Sequence, residues 1–123
     1  MAKRKLYDEA LKAVSDNASL FYLKSERPVR KGWVRYVTFA NAYDDSQAGR
    51  DIEFGKLVGN AFYSLEAKDG ATKSLPEWFT LMTHHFTLGE LPAFRFTNAT
   101  VGNVLIGYLE GYECPIDEVV TTG

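Results

Sequence analysis

The sequence predicts a mainly β protein: an antiparallel β-sandwich, jelly-roll-like, preceded by a short N-terminal amphipathic helix and a basic arm. Three observations carry this expectation. From Trp33 onward, short runs rich in aromatic and β-branched residues are separated by turn residues. No helical periodicity lies between those runs. Ahead of them, one segment repeats its apolar residues at helical spacing. The expected division is an N-terminal arm and helix over 1–32 and a β-sandwich domain over 33–123.

The helix is expected where Tyr7, Ala10, Leu11, Val14 and Ala18 fall on one stripe. Asp8 and Glu9 lie in its first turn, where the helix dipole favours acids, and "SDNAS" ends it with residues that prefer local hydrogen bonds. After "SLFYL" comes the polar basic connector "KSERPVRKG". "WVRYVTFAN" then opens the sandwich and runs into the turn-prone "NAYDDSQAG". "RDIEFGKLV" alternates, with Asp51 and Glu53 outward and Ile52 and Phe54 inward. "AFYSLEA" follows and is expected to close at Asp69-Gly70, a strong turn pair. "SLPEWFTLMTHHFTL" closed by "GELP", "AFRFTN" closed by "ATVGN", and "VLIGYLEGYEC" closed by Pro115 complete the set. Gly107 and Gly111 share one side of the last strand, where missing side chains mark a bend or a close backbone approach.

At 123 residues, with 46% hydrophobic and 14% aromatic content, the chain has the length and composition of one globular domain. No apolar run approaches the roughly 18 residues of a membrane span. "MAKRKLYDEALK" has no apolar core of a signal peptide. Cys114 has no second cysteine to pair with and reads as a small buried hydrophobe. Charge is unevenly spread. Residues 1–35 hold nine Lys/Arg against four acids, whereas the remainder holds five against twelve. That is a basic arm on an acidic body.

Catalytic and cofactor chemistry is not expected. The histidines, His84 and His85, are neighbours in "THHFTL" and so point to opposite faces of a strand. A metal-binding pair on a strand needs positions i and i+2. His84 shares the more apolar face with Met82 and Phe86, and is expected near the core with a hydrogen bond, while His85 faces solvent or an interface. "FGKLVGN" matches neither the phosphate-cradling GxxxxGK[ST] nor GxGxxG, no GxSxG elbow occurs, and "DDSQAGRD" lacks the ligand spacing of a calcium loop. No metal, cofactor or catalytic residue is therefore assigned.

The basic cluster suggests a partner. Nucleic acid is not expected, because the body is acidic, the isoelectric point is about 5.7, and few aromatics are interleaved with the cations. An acidic protein surface fits better. The residues expected to bind it are Lys3, Arg4, Lys5, Arg27, Arg30 and Lys31 from the arm, with Tyr7, Leu11 and Val14 from the helix stripe. Tyr43 and Tyr112 are further candidates for contacts between chains. A carbohydrate- or receptor-binding module is the alternative, with Trp33, Trp78 and Tyr43 as platforms beside Asp44 and Asp45.

The string from "GWVRYVTFANAYDD" through "VGNVLIGYLEGYEC" resembles the small β-sandwich accessory proteins of tailed-phage virions, the decoration, cement and adaptor-like modules. The early strand Trp33 to Asn41 and the closing stretch Val101 to Glu113 carry the resemblance, with Asn103 where such proteins commonly have Asp. It implies a non-enzymatic structural role in a virion, made in the host cytoplasm. It also implies homo-oligomerisation and binding to a major capsid or other virion protein, without nucleic-acid or membrane contact.

Overall fold

A computed structural model describes residues 4–16, 20–44, 50–71, 77–79, 83–97 and 101–116. Its strands are β1 (Lys5–Val14), β2 (Leu20–Lys24), β3 (Trp33–Asp44), β4 (Arg50–Val58), β5 (Ala61–Ala71), β6 (Glu77–Phe79), β7 (His84–Phe86), β8 (Leu91–Thr97) and β9 (Val104–Pro115). They form two antiparallel sheets. The first runs β1-β9-β3-β6, with β7 also paired to β3. The second runs β2-β8-β4-β5. The expectation of a mainly β, two-sheet protein holds.

The helix expected near the N-terminus is instead strand β1, which pairs with β9 from Lys5↔Glu113 to Val14↔Val104. The misleading residue is Glu9. In the strand, Tyr7, Glu9 and Leu11 point inward and are buried, while Leu6, Asp8, Ala10, Lys12 and Val14 point outward. An acid on the inner face and apolar residues on the outer one hide the alternation and imitate helical spacing. Pairing with β9 decides the outcome, as tertiary context commonly does over weak local preference. Residues 5–14 and 20–24 therefore lie within the two sheets rather than ahead of them.

Other elements follow the sequence more closely. Ile52 and Phe54 are buried in β4 while Asp51 is exposed. The β4–β5 hairpin turns through Gly59-Asn60, with Gly59 at φ 60°, a conformation suited to a tight two-residue turn. β5 does not close at Asp69-Gly70 but continues to Ala71, which pairs with Arg50; register shifts in the β4–β5 ladder absorb the extra length. The long segment around Trp78 and His84 contributes two strands, β6 and β7, both along the same edge of β3.

The core lies between the sheets. Ile52, Phe54, Phe86, Phe94, Phe96, Leu105 and Leu109 are fully buried there. Phe54 of one sheet meets Phe86 of the other edge-on, with ring centroids 6.0 Å apart. Each such side chain contributes roughly 1.5–3 kcal/mol on burial. Both glycines singled out in β9 mark close approaches. A Cβ at Gly107 would sit 2.9 Å from the Phe94 ring of the opposite sheet, and one at Gly111 would sit 1.8 Å from the Tyr36 carbonyl oxygen. Gly111 lies where the β3–β9 register shifts between Val37 and Phe39. Cys114 is buried, as expected.

Candidate interaction surface

Alternation along β1, β9, β3 and β7 sets one row of side chains across the outer face of the first sheet. The register aligns Leu6 with Tyr112, Tyr112 with Tyr36, and Tyr36 with His85. Tyr36 and Tyr112 stack with centroids 5.0 Å apart and planes 24° from parallel. His85 lies 6.4 Å from Tyr36. The Arg4 guanidinium sits 4.0 Å from the Tyr112 ring centroid, in cation–π geometry. Leu6 is 93% exposed, which is unusual for so apolar a side chain. A depression of about 210 Å³ lies beside this row, lined by Leu6, Asp8, Thr38 and Glu110 and by Gly111.

The next rows carry Asp8, Glu110 and exposed Phe39, then Ala10, Tyr108 and Asn41. Tyr108 donates its hydroxyl hydrogen to Glu110 at 3.1 Å, and this bond, with slight burial and the neighbouring acids, raises the phenol pKa.

At the same end of the sheet, Trp33 gathers cations. The Arg30 guanidinium lies 3.7 Å from its ring centroid and the Lys5 ammonium 5.4 Å. Trp33 N donates to the Arg30 carbonyl at 3.0 Å, so the turn holding Lys31 and Gly32 fixes the arginine beside the ring. Arg4 is thus held on the Tyr112 ring, and Lys5 and Arg30 on the Trp33 ring, an arrangement that charge counting alone does not reveal.

Beneath this end lies a buried polar network. Glu9 Oε1 accepts from Tyr7 at 2.6 Å and from Ser25 at 2.5 Å, and its Oε2 accepts from Glu26 N at 2.8 Å. Arg35, only 2% exposed, donates from Nε to Glu113 at 2.9 Å and from Nη1 to the Arg27 carbonyl at 2.7 Å. Its guanidinium stacks 4.0 Å from the Tyr7 ring centroid. Burial, reinforced by the bond to Glu9, pushes the Tyr7 phenol well above its ordinary range. This network ties β1, β3, β9 and the segment after β2 together.

The expected partner-binding residues therefore divide. Arg4, Lys5, Arg30 and Lys31 are exposed, and Val14 is 59% exposed on the outer face. Arg27 is exposed and its guanidinium lies 5.8 Å from the Tyr7 ring centroid. Tyr7 and Leu11 are core residues, at 4% and 5% exposure, and are corrected from partner contacts to packing, because the strand turns them inward. Lys3 lies outside the described residues. Sequence reasoning missed Leu6, Tyr36 and Phe39, although it singled out Tyr112.

The histidines lie as alternation requires. His84 Nε2 is 2.6 Å from Glu66 of the opposite sheet and packs near Phe54, whereas His85 is exposed. Among the described residues, no three His, Cys, Asp or Glu side chains converge as a metal site would require. Of the suggested sugar-binding acids, Asp44 is fully buried and accepts from Asn103 at 3.0 Å; Asp45 and the Trp78 side chain lie outside the described residues. No protein-family model and no curated protein matches this chain.

Proposed function

We propose that this chain is a non-enzymatic structural subunit of a phage virion, a capsid decoration or cement protein that binds the capsid lattice and self-associates. The observation that carries the reading is the outward face of the first sheet, where Leu6, Tyr112, Tyr36 and His85 form a row beside Arg4, while Lys5 and Arg30 gather on Trp33 at the same end of the sheet. Tyr, Trp and Arg are the side chains that contribute most to protein interfaces, since they combine large apolar area with directional polar groups. The basic end suits an acidic protein lattice. The strand order supports the same reading: β1-β9-β3-β6 opposite β2-β8-β4-β5 is the order of a jelly roll, an architecture used by viral capsid proteins and lectins. That is fold-level analogy.

Co-sedimentation of the purified chain with capsids of the virus that encodes it tests the proposal. Binding is expected, with loss of roughly tenfold or more in affinity for the Arg4→Glu, Arg30→Glu double variant. Absence of the chain from purified particles, together with no binding to capsids, overturns it.

A carbohydrate- or receptor-binding module is the second reading, favoured by the Tyr36–Tyr112 stack with Arg4 and His85 beside it. Glycan-array binding abolished by Tyr112→Ala, in a folded variant, would replace the first reading with this one.

A further inference from the structure

We propose that two copies of the chain dimerise by pairing β1 edge to edge with β1 of the second copy, antiparallel, about a two-fold axis at Ala10. The inference rests on the self-association part of the reading above and names the surface that performs it.

Among the described residues, β1 pairs with β9 on one side and with no strand on the other. It is ten residues long, contains no proline, and keeps one unbroken register with β9. The other sheet edges are less inviting. β2 has five residues, β6 and β7 have three each, and β5 is reached through register shifts. Proteins commonly blunt exposed edges by such shortening or bulging, and β1 shows neither.

The hydrogen-bond phase of β1 follows from its end. Ser15 N donates to the Asn103 carbonyl at 2.8 Å, and the Ser15 carbonyl accepts from Gly102 N at 2.8 Å. Ser15 therefore turns its main chain toward the β9 side. On the far side of β9, Ile116 N donates to the Gly32 carbonyl at 2.8 Å, which agrees with this phase. Main-chain groups alternate sides along a strand, so Leu6, Asp8, Ala10, Lys12 and Val14 direct their N–H and C=O groups to the open edge. The same residues carry the outward side chains, including Leu6 at 93% and Val14 at 59% exposure.

An antiparallel copy must align these residues with their own kind. Centred on Ala10, the ladder sets Leu6 opposite Val14, Asp8 opposite Lys12, and Ala10 opposite itself. Apolar then meets apolar, and acid meets base twice by symmetry. Centring on Asp8 instead opposes Asp8 to itself and Arg4 to Lys12, while centring on Lys12 opposes Lys12 to itself and Asp8 to Asp16. The intermediate centres, Glu9 and Leu11, leave Asp8 and Lys12 without an opposite charge. Among the described residues neither Asp8 nor Lys12 forms an ion pair within its own chain.

The inner side of the pairing is compatible. Glu9 would lie opposite Leu11 of the second copy, and both Glu9 oxygens are already hydrogen-bonded within their own chain. A cleft of about 350 Å³ between β1 and β2, lined by Leu11, Ala13, Tyr22 and Leu23, opens at this edge, where the second copy would cover it.

Sedimentation equilibrium of the full chain and its charge variants tests the pairing. A dimer is expected. Asp8→Lys and Lys12→Asp should each weaken it roughly tenfold or more, by setting like charges opposite one another at two symmetric places. The double exchange Asp8→Lys, Lys12→Asp should restore it. Ala10→Cys should form a disulfide-linked dimer on mild oxidation, because hydrogen-bonded antiparallel partners lie about 5.5 Å apart at Cα, within disulfide reach. A dimer unaffected by either single variant, with no crosslink at position 10, overturns this geometry and leaves self-association standing. A chain that remains monomeric at high concentration overturns both, whether or not another protein then binds the edge.

Discussion

Arg35 and Glu113 form an ion pair on the inner side of the first sheet, Nε to Oε2 at 2.9 Å, with the arginine side chain 2% and the glutamate 14% exposed. Two distant segments of the chain meet there, since β3 and β9 lie side by side from Trp33↔Pro115 to Asp44↔Leu105. Removing the arginine leaves the largely buried Glu113 carboxylate without its ion-pair partner. Arg35→Ala is expected to cost about 3–5 kcal/mol in urea denaturation. The double change Arg35→Met, Glu113→Leu should cost less than the single one, because no charge is left unpaired.

Tyr7 should respond to alkali. Its phenol is raised above the ordinary value of 10.0 by burial and then by the bond to Glu9, so the folded state retains its proton where the unfolded state releases it. Its contribution to stability is complete below pH 10.0 and declines as pH rises above it. Tyr7→Phe is expected to flatten that alkaline decline while losing about 1 kcal/mol at neutral pH. Denaturation curves between neutral and strongly alkaline pH measure both effects.

Glu90 should respond to acid. Burial would raise its pKa, but the Thr87 N–H at 2.9 Å, Lys56 at 3.3 Å and the Thr87 hydroxyl outweigh it and hold the carboxyl below the usual range. The stabilisation is fully present above the usual carboxylate range and is lost as pH falls through the depressed value. Glu90→Gln should reduce the acid sensitivity of melting and loosen the turn over 87–90.

The two glycines of β9 should differ in kind. A Cβ at Gly111 would collide with the Tyr36 main chain, whereas one at Gly107 meets the side chains of Phe94 and Leu23. Gly107→Ala is expected to cost about 1–3 kcal/mol through overpacking. Gly111→Ala should cost more, because backbone must separate. Thermal melting of the two variants ranks them.

Much of the fold is legible from Trp33 onward, because Ile52, Phe54, Phe94 and Phe96 alternate with polar or small residues and turn signals bound the runs. β1 is not legible, because apart from the Tyr7 hydroxyl its inward acid is satisfied by residues brought from elsewhere: Ser25, Glu26 and, through Ser25, Arg35. Such satisfaction of a buried carboxylate is a tertiary fact with no local trace. The surface is half legible. Tyr108, Glu110 and Tyr112 share a parity opposite Gly107 and Gly111, which could have marked the outward face of β9. The stacking of Tyr112 on Tyr36 depends on the register shift near Val37, which alternation does not reveal.

The middle position of β9 has a consequence for biosynthesis. β1 and β3 touch the same strand on opposite sides, yet that strand follows them by tens of residues. While the ribosome is still making the segment before Val104, the early strands have nothing to bridge them, and their hydrogen-bonding rims stay open to other nascent chains. Folding of the first sheet is therefore a late, all-at-once closure, and such distant pairings are slow to find.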